Sequence, residues 1–226
     1  LHDALPISIN RFIDYKNFRV KGATMLAASI HLSRGTPYIY MGEEIGMVDP
    51  DFDSMADYVD VESINAYQEL LAAGKSEREA FAIIQAKSRD NSRTPMQWDA
   101  SENAGFTTGT PWLKAGKTYK EINVENEKSG KIFRFYQDLI QLRKALPLIA
   151  EGDYKAAYQD SDKVYAFERQ LDNQKLLVLN NFFPEEVTIQ IPADYQTGKV
   201  LISNYDGVEL TENLVLQPYQ TVAIEL

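Results

Sequence analysis

The hydrophobic pattern of this chain changes period near Gly152. Upstream, Ile132, Phe135, Tyr136, Leu139, Leu142 and Leu146 recur at three- and four-residue spacing, an amphipathic helix that Pro147 stops. Downstream the apolar runs shorten to 164–170, 176–182, 187–191, 200–203 and 221–226. Turn signals separate them at Asp172-Asn173, Pro184-Glu185, Asp206-Gly207 and Gln217-Pro218. A helix repeats about every 3.6 residues and a strand every 2, so one layer cannot serve both patterns. The expected organisation is therefore an α/β region over residues 1–148 and a small antiparallel β-sandwich over residues 149–226. At 226 residues and 44% hydrophobic content there is apolar material for both.

Within the first region, Val20, Met25, Leu26, Ile30 and Leu32 predict a helix over 19–34, with Gly35 as its stop. Thr36-Pro37-Tyr38-Ile39-Tyr40 then reads as a buried strand, with Tyr38 and Tyr40 alternating into the core. Helix followed directly by strand suits the last unit of an α/β barrel or of a doubly wound sheet. A second helix is expected over 63–73, closed by Gly74, and a third from Ser76, whose spacing to Glu79 is that of a capping box.

Composition excludes several functions. A formal net charge of −10 opposes binding to nucleic acid or to an anionic membrane surface. With no cysteine, thiolate nucleophiles, zinc–thiolate sites and disulfides are out, and His2 and His31 do not make a histidine-rich metal site. No metal or cofactor is expected. No apolar run approaches the roughly 20 residues of a membrane span. The chain starts at Leu1 rather than Met, so the lack of a leader excludes nothing. Composition does not address the oligomeric state.

One stretch answers to no core-forming period: Ser88-Arg89-Asp90-Asn91-Ser92-Arg93-Thr94-Pro95-Met96-Gln97-Trp98-Asp99. It is dense in carboxylates and planar donors, as functional loops are, and Pro95 forbids a helix through it. This run resembles the signature of the oligo-1,6-glucosidase branch of the α-amylase superfamily, family 13 of the glycoside hydrolases. Other landmarks follow in the family's order. Gly35-Thr36-Pro37-Tyr38-Ile39-Tyr40-Met41-Gly42-Glu43-Glu44-Ile45-Gly46-Met47 is similar to the eighth barrel strand and its loop, with Met41 where many relatives carry Gln. Asp57-Tyr58-Val59-Asp60-Val61-Glu62-Ser63-Ile64-Asn65, Asn103-Ala104-Gly105-Phe106 and Ile122-Asn123-Val124 complete the set. The resemblance runs over roughly residues 9–226.

The resemblance implies the C-terminal end of a (β/α)8 barrel, followed by the family's β-sandwich. Such barrels hold their active sites on the βα loops. The family's retaining mechanism uses an Asp nucleophile and a Glu acid/base, roughly 5 Å apart, with a second Asp supporting the transition state. Nucleophile and acid/base lie on the fourth and fifth strands, so by resemblance this fragment is inactive alone. Leu1-His2-Asp3-Ala4-Leu5-Pro6-Ile7 partly matches the segment carrying the third carboxylate, which would make Asp3 a transition-state stabiliser if the leader is genuine. Leu1 and Ile7 depart from the pattern, and the spacing to Arg11-Phe12 is one residue too long, which favours a junction artefact over Leu1–Ser8.

Arg93 is the leading substrate-binding candidate. By resemblance it reaches hydroxyls of the non-reducing-end glucose, work suited to a rigid fork of donors. The alternative role is pinning the loop through Asp90 or Asp99. Glu62 borders the leaving-group subsite by resemblance, and equally fits a first-turn acid of the following helix. Arg89, Asp90 and Asn91 are expected to shape the loop, and Trp98 to pack beneath it with Met96. Glu43 and Glu44 read as structural ion-pair formers, and His31 as a surface or packed histidine.

Lys87-Ser88-Arg89-Asp90-Asn91-Ser92-Arg93, with the 57–63 segment, looks nearest to the trehalose-6-phosphate hydrolases. This implies a phosphorylated disaccharide substrate, a cytoplasmic enzyme, and a cationic pocket for which Lys87, Arg89, Lys114 and Lys117 are the candidates. An α-1,6-specific glucosidase acting on small oligosaccharides is the second reading. A non-catalytic binding module, including a transporter-ancillary subunit, is the third.

Overall fold

The computed structural model describes residues 9–226. In chain order it contains α1 (Ile9–Phe12), α2 (Tyr15–His31), α3 (Val61–Ala72), α4 (Glu77–Lys87), α5 (Val124–Glu127), α6 (Lys131–Ala145) and α7 (Pro147–Glu151). Seven strands follow: β1 (Asp153–Ala157), β2 (Val164–Leu171), β3 (Gln174–Asn181), β4 (Val187–Gln190), β5 (Lys199–Ser203), β6 (Asn213–Leu216) and β7 (Thr221–Glu225). The described residues form two compact units, one of residues 9–12 and 39–130, the other of residues 13–38 and 131–226.

The second unit is built on an antiparallel five-stranded sheet of order β1-β2-β3-β7-β5, faced by the β4–β6 pair. Strand alternation sets the two faces of β2. Val164 and Ala166 join Leu177, Leu179, Ile189, Leu214, Leu216, Val222 and Ile224 in the sandwich core. Phe167 and Arg169 point to the opposite face, where α7 packs on β2 and β3 and α2 on β3 and β7. α2 carries a kink at Phe18. It also carries Gly22, where any Cβ would collide with the Ile13 side chain.

Arg169 is fully buried in this unit. Its guanidinium donates to four carbonyls: Asp153 O (3.1 Å), Leu32 O (3.2 Å), Ile149 O (2.5 Å) and Gly152 O. These include carbonyls from the ends of α2 and α7, the negative pole of each helix, so helix termini compensate the buried charge. Arg143 does the same beyond α2, donating to the carbonyls of His31 (2.8 Å), Ser33 (3.0 Å) and Gly35.

The first unit is mostly loop, organised by α3 and α4 around Phe52, Tyr58 and Ile84, with Tyr67, Leu70 and Phe81 packed against them. Ser76 and Glu79 close the expected capping box at the start of α4. α3 starts earlier than expected because Asp60, not Ser63, is its N-cap.

The expected strand over 36–40 does not form. The segment is extended but joins no sheet, and Tyr38 (78% exposed), Ile39 and Tyr40 stand in solvent rather than in a core. A strand needs a hydrogen-bonding neighbour, and this one has none among the described residues. The preceding helix is covered instead, with Met25, Leu26 and Leu32 buried. Among the described residues no helix is long and apolar enough to cross a membrane.

Candidate active-site loop

The Arg/Asp-rich segment begins where α4 ends. Ser88 caps the following 3₁₀ turn (Arg89–Ser92), its Oγ accepting from the Asp90 N–H at 3.2 Å. Asp90 is completely buried, and its Oδ2 accepts the N–H groups of Val59 and Asp60, both at 2.8 Å. The loop is thereby fixed to the segment entering α3. Ser63 Oγ donates to Ser88 Oγ at 2.8 Å and closes the junction from the other side.

Asp60 is the centre of the cluster. It accepts from the Ser63 N–H (3.2 Å) and hydroxyl (3.1 Å), from Arg89 Nη2 (3.0 Å) and from Arg93 Nη1 (3.3 Å). Burial alone would raise its pKa, but the hydrogen bonds from Arg89 and Ser63 outweigh burial and hold the carboxyl below its ordinary value. It stays ionised between two arginines.

Arg93 is held by the same Nη1 to Asp90 Oδ1 at 3.4 Å. Both of these bonds use one nitrogen, and the side chain remains 36% exposed. A guanidinium gripped at one corner and open elsewhere presents fixed donors to a ligand. Asp99, the alternative anchor, accepts instead from the Ser101 N–H (2.8 Å) and hydroxyl. Glu62 lies in the first turn of α3, largely exposed, and pairs with Arg89 at 2.7 Å. Asn91 donates to Gln85 O at 2.8 Å.

Several expectations need correction. Trp98 is 50% exposed while its neighbour Met96 is buried, so the indole does not pack under the loop. Both the Trp98 and Asp99 N–H groups are drawn to Ala104 O, which fixes the backbone there without burying the ring. Glu43 and Glu44 keep the structural role expected of them and brace a turn, accepting the N–H groups of Tyr40 (3.1 Å) and Gly42 (2.8 Å) respectively. Of the candidate cations, Arg89 is committed to Asp60 and Glu62, Lys114 to Asp57, and Lys117 to Asp53 (2.5 Å) and Asp51 (3.8 Å). The Lys114 hydrogen bond holds the Asp57 carboxyl below its usual range. Asp3 lies outside the described residues. Asp60 itself was missed as a hub. Its signal was the Asp60-x-x-Ser63 spacing of an N-cap.

Residues 2–152 match the model of the α-amylase catalytic domain, and residues 164–223 that of the α-amylase SusG C-terminal domain. The chain belongs to the α-amylase family. A trehalose-6-phosphate hydrolase of Bacillus subtilis (strain 168) is 44% identical over all of this chain and 41% of its own length. An oligo-1,6-glucosidase of Parageobacillus thermoglucosidasius is 44% identical over 97% of this chain and 40% of its own length. The crystal structure of Bacillus licheniformis trehalose-6-phosphate hydrolase superposes with a TM-score of 0.91 at 45% identity, covering all of this chain and 42% of that one. The chain thus spans about two fifths of the relatives it matches.

Proposed function

We propose that the protein to which this chain belongs is a retaining α-glucosidase that hydrolyses trehalose 6-phosphate to glucose and glucose 6-phosphate in the cytoplasm. In this reading residues 1–148 complete the C-terminal end of the barrel and residues 149–226 form the C-terminal domain, a division supported by the ranges of the two family matches. The chain supplies a substrate-facing wall and not the nucleophile or the acid/base. The observation that carries the reading is Arg93, fixed through Nη1 to Asp60 and Asp90 with the rest of its fork exposed. Arg93 binds glucose hydroxyls, and Glu62 sets the position of Arg89 at the border of the leaving-group subsite.

An oligo-1,6-glucosidase is the second reading, favoured by one observation. Arg89, Lys114 and Lys117 are all engaged by carboxylates, so a phosphate meeting them must displace an existing partner. Assays of the full-length protein on trehalose 6-phosphate, trehalose and isomaltose separate the two. Turnover of the phosphorylated disaccharide at least tenfold above the others supports the first reading, and preference for isomaltose replaces it with the second. The chain alone is expected to turn over none of them.

A further inference from the structure

The β-rich unit carries an open cleft of about 350 Å³ beside the turn joining β1 to β2. That volume sits at the lower end of the ~300–1,000 Å³ range of small-molecule sites. One wall is aromatic. Tyr165 is 41% exposed, and its ring is braced from behind by Phe167 (centroids 5.6 Å apart) and Phe182 (6.1 Å, edge to face). Its hydroxyl lies 3.2 Å from that of Tyr154, which in turn stacks on Phe167 at 5.3 Å. Three neighbouring rings therefore hold the exposed ring of Tyr165 in place.

The rim is polar and close to neutral. Ser161 Oγ accepts from the N–H groups of Lys163 (3.3 Å) and Val164 (3.1 Å), which leaves its own hydrogen to donate. Asp162 contributes a carboxylate with no hydrogen bond among the described residues, and Gln159 adds an exposed amide. The one lysine on the rim, Lys163, is already paired with Glu185. Tyr158 shapes the floor in a left-handed conformation (φ 52°), its hydroxyl donating to Gln190 O at 2.8 Å.

Such a rim suits neither a phosphate nor a strongly charged peptide. It fits a neutral ligand with one apolar face and a hydroxylated edge. A pyranose ring has both. Its axial C–H hydrogens are weakly positive and lie well on the negative face of an aromatic ring, while its hydroxyls match a carboxylate, an amide and a hydroxyl donor. We propose that this cleft is a sugar-binding site taking one ring of a neutral glucoside, with Tyr165 as the stacking platform and Asp162, Gln159 and Ser161 as its polar contacts. The site needs no catalytic group and stands independently of the hydrolase reading.

The test is a titration of the isotope-labelled chain with maltose, followed by backbone amide shifts, with glycerol as a hydroxyl-bearing control. The expected result is saturable binding with a millimolar dissociation constant. Its shifts concentrate over residues 156–166 and 182, and glycerol does not reproduce them. Tyr165→Ala should weaken binding at least tenfold. A second variant, Gln159→Ala with Asp162→Asn, lies on the turn and should weaken it at least threefold while shifts elsewhere in the spectrum stay put. Absence of saturable shifts, shifts centred on other residues, or unchanged affinity in the turn variant would each overturn the proposal.

Discussion

Asp60 and Asp90 are thirty positions apart in the chain, yet the Asp60 N–H donates to Asp90 Oδ2 at 2.8 Å while Arg93 bridges their two carboxylates. Two acids lie side by side because each has its own donors: Asp90 takes backbone N–H groups, and Asp60 takes Ser63 and Arg89. Removing Asp90 strands two N–H groups and loosens Arg93. Asp90→Ala should cost about 3–5 kcal/mol and Asp90→Asn roughly 1–3 kcal/mol in urea unfolding. A change below about 0.5 kcal/mol for the alanine variant would show that other contacts hold the loop.

Arg93→Lys keeps the charge and loses the fork. A lysine ammonium in place of Nη1 can hold the two carboxylates but has no planar fork left to offer a ligand. In the full-length protein we expect kcat/KM to fall about 100-fold, roughly 2.7 kcal/mol of transition-state binding. Stability should change by less than activity does. Activity within threefold of the parent would reduce Arg93 to a loop pin.

Arg169 makes the same point in the sandwich unit. Arg169→Met fills the space but leaves the carbonyls of Leu32, Ile149, Gly152 and Asp153 without their donor. The expected loss is about 3–5 kcal/mol, read from thermal unfolding of the tyrosine near-ultraviolet signal. If the methionine variant matches the parent, hydrophobic contact rather than carbonyl capture holds α2 and α7 in place.

His31 supplies a pH dependence. Its ring is buried, Nδ1 lies 3.0 Å from Ala27 O, Nε2 has no hydrogen-bond partner among the described residues, and the Tyr136 ring meets it edge to face with centroids 5.3 Å apart. Burial lowers its pKa below the ordinary 6.5; the Ala27 carbonyl opposes the shift and the Arg143 charge adds to it. Unfolded chains take up a proton near pH 6.5 that the folded chain refuses. Stability is therefore full above that pH and is lost as pH falls from about 6.5 towards the lower folded value. Chemical denaturation at stepped pH should show this slope in the parent and lose it in His31→Asn. An identical slope in both would assign it to other groups.

Much of the fold was legible because it is locally encoded. Ser76 and Glu79 announced the start of α4, and the short apolar runs of β2, β3 and β7 stand between turn signals. β1 was not readable, since Asp153-Tyr154-Lys155-Ala156-Ala157 has little apolar pattern and becomes a strand only by pairing with β2. Pro147 did end one helix, but it also opened α7 at a position where proline is welcome. Arg93 stood out in sequence by its setting. Its anchor Asp60 did not, because nothing local to Asp60 specifies a partner at Arg93.

The sequence by itself determined period, caps and turns, and with them where helices give way to strands. It also settled the family, through motifs that stand in order. Tertiary structure alone decided which of the carboxylates receives Arg89 and Arg93, that Arg169 is met by helix ends rather than by an acid, and that Trp98 is half-exposed. The reason is range. Caps and turns act over three or four residues and are written in adjacent side chains. Ion pairs across thirty residues exist only when loop packing brings the partners together and removes the water that would otherwise screen them.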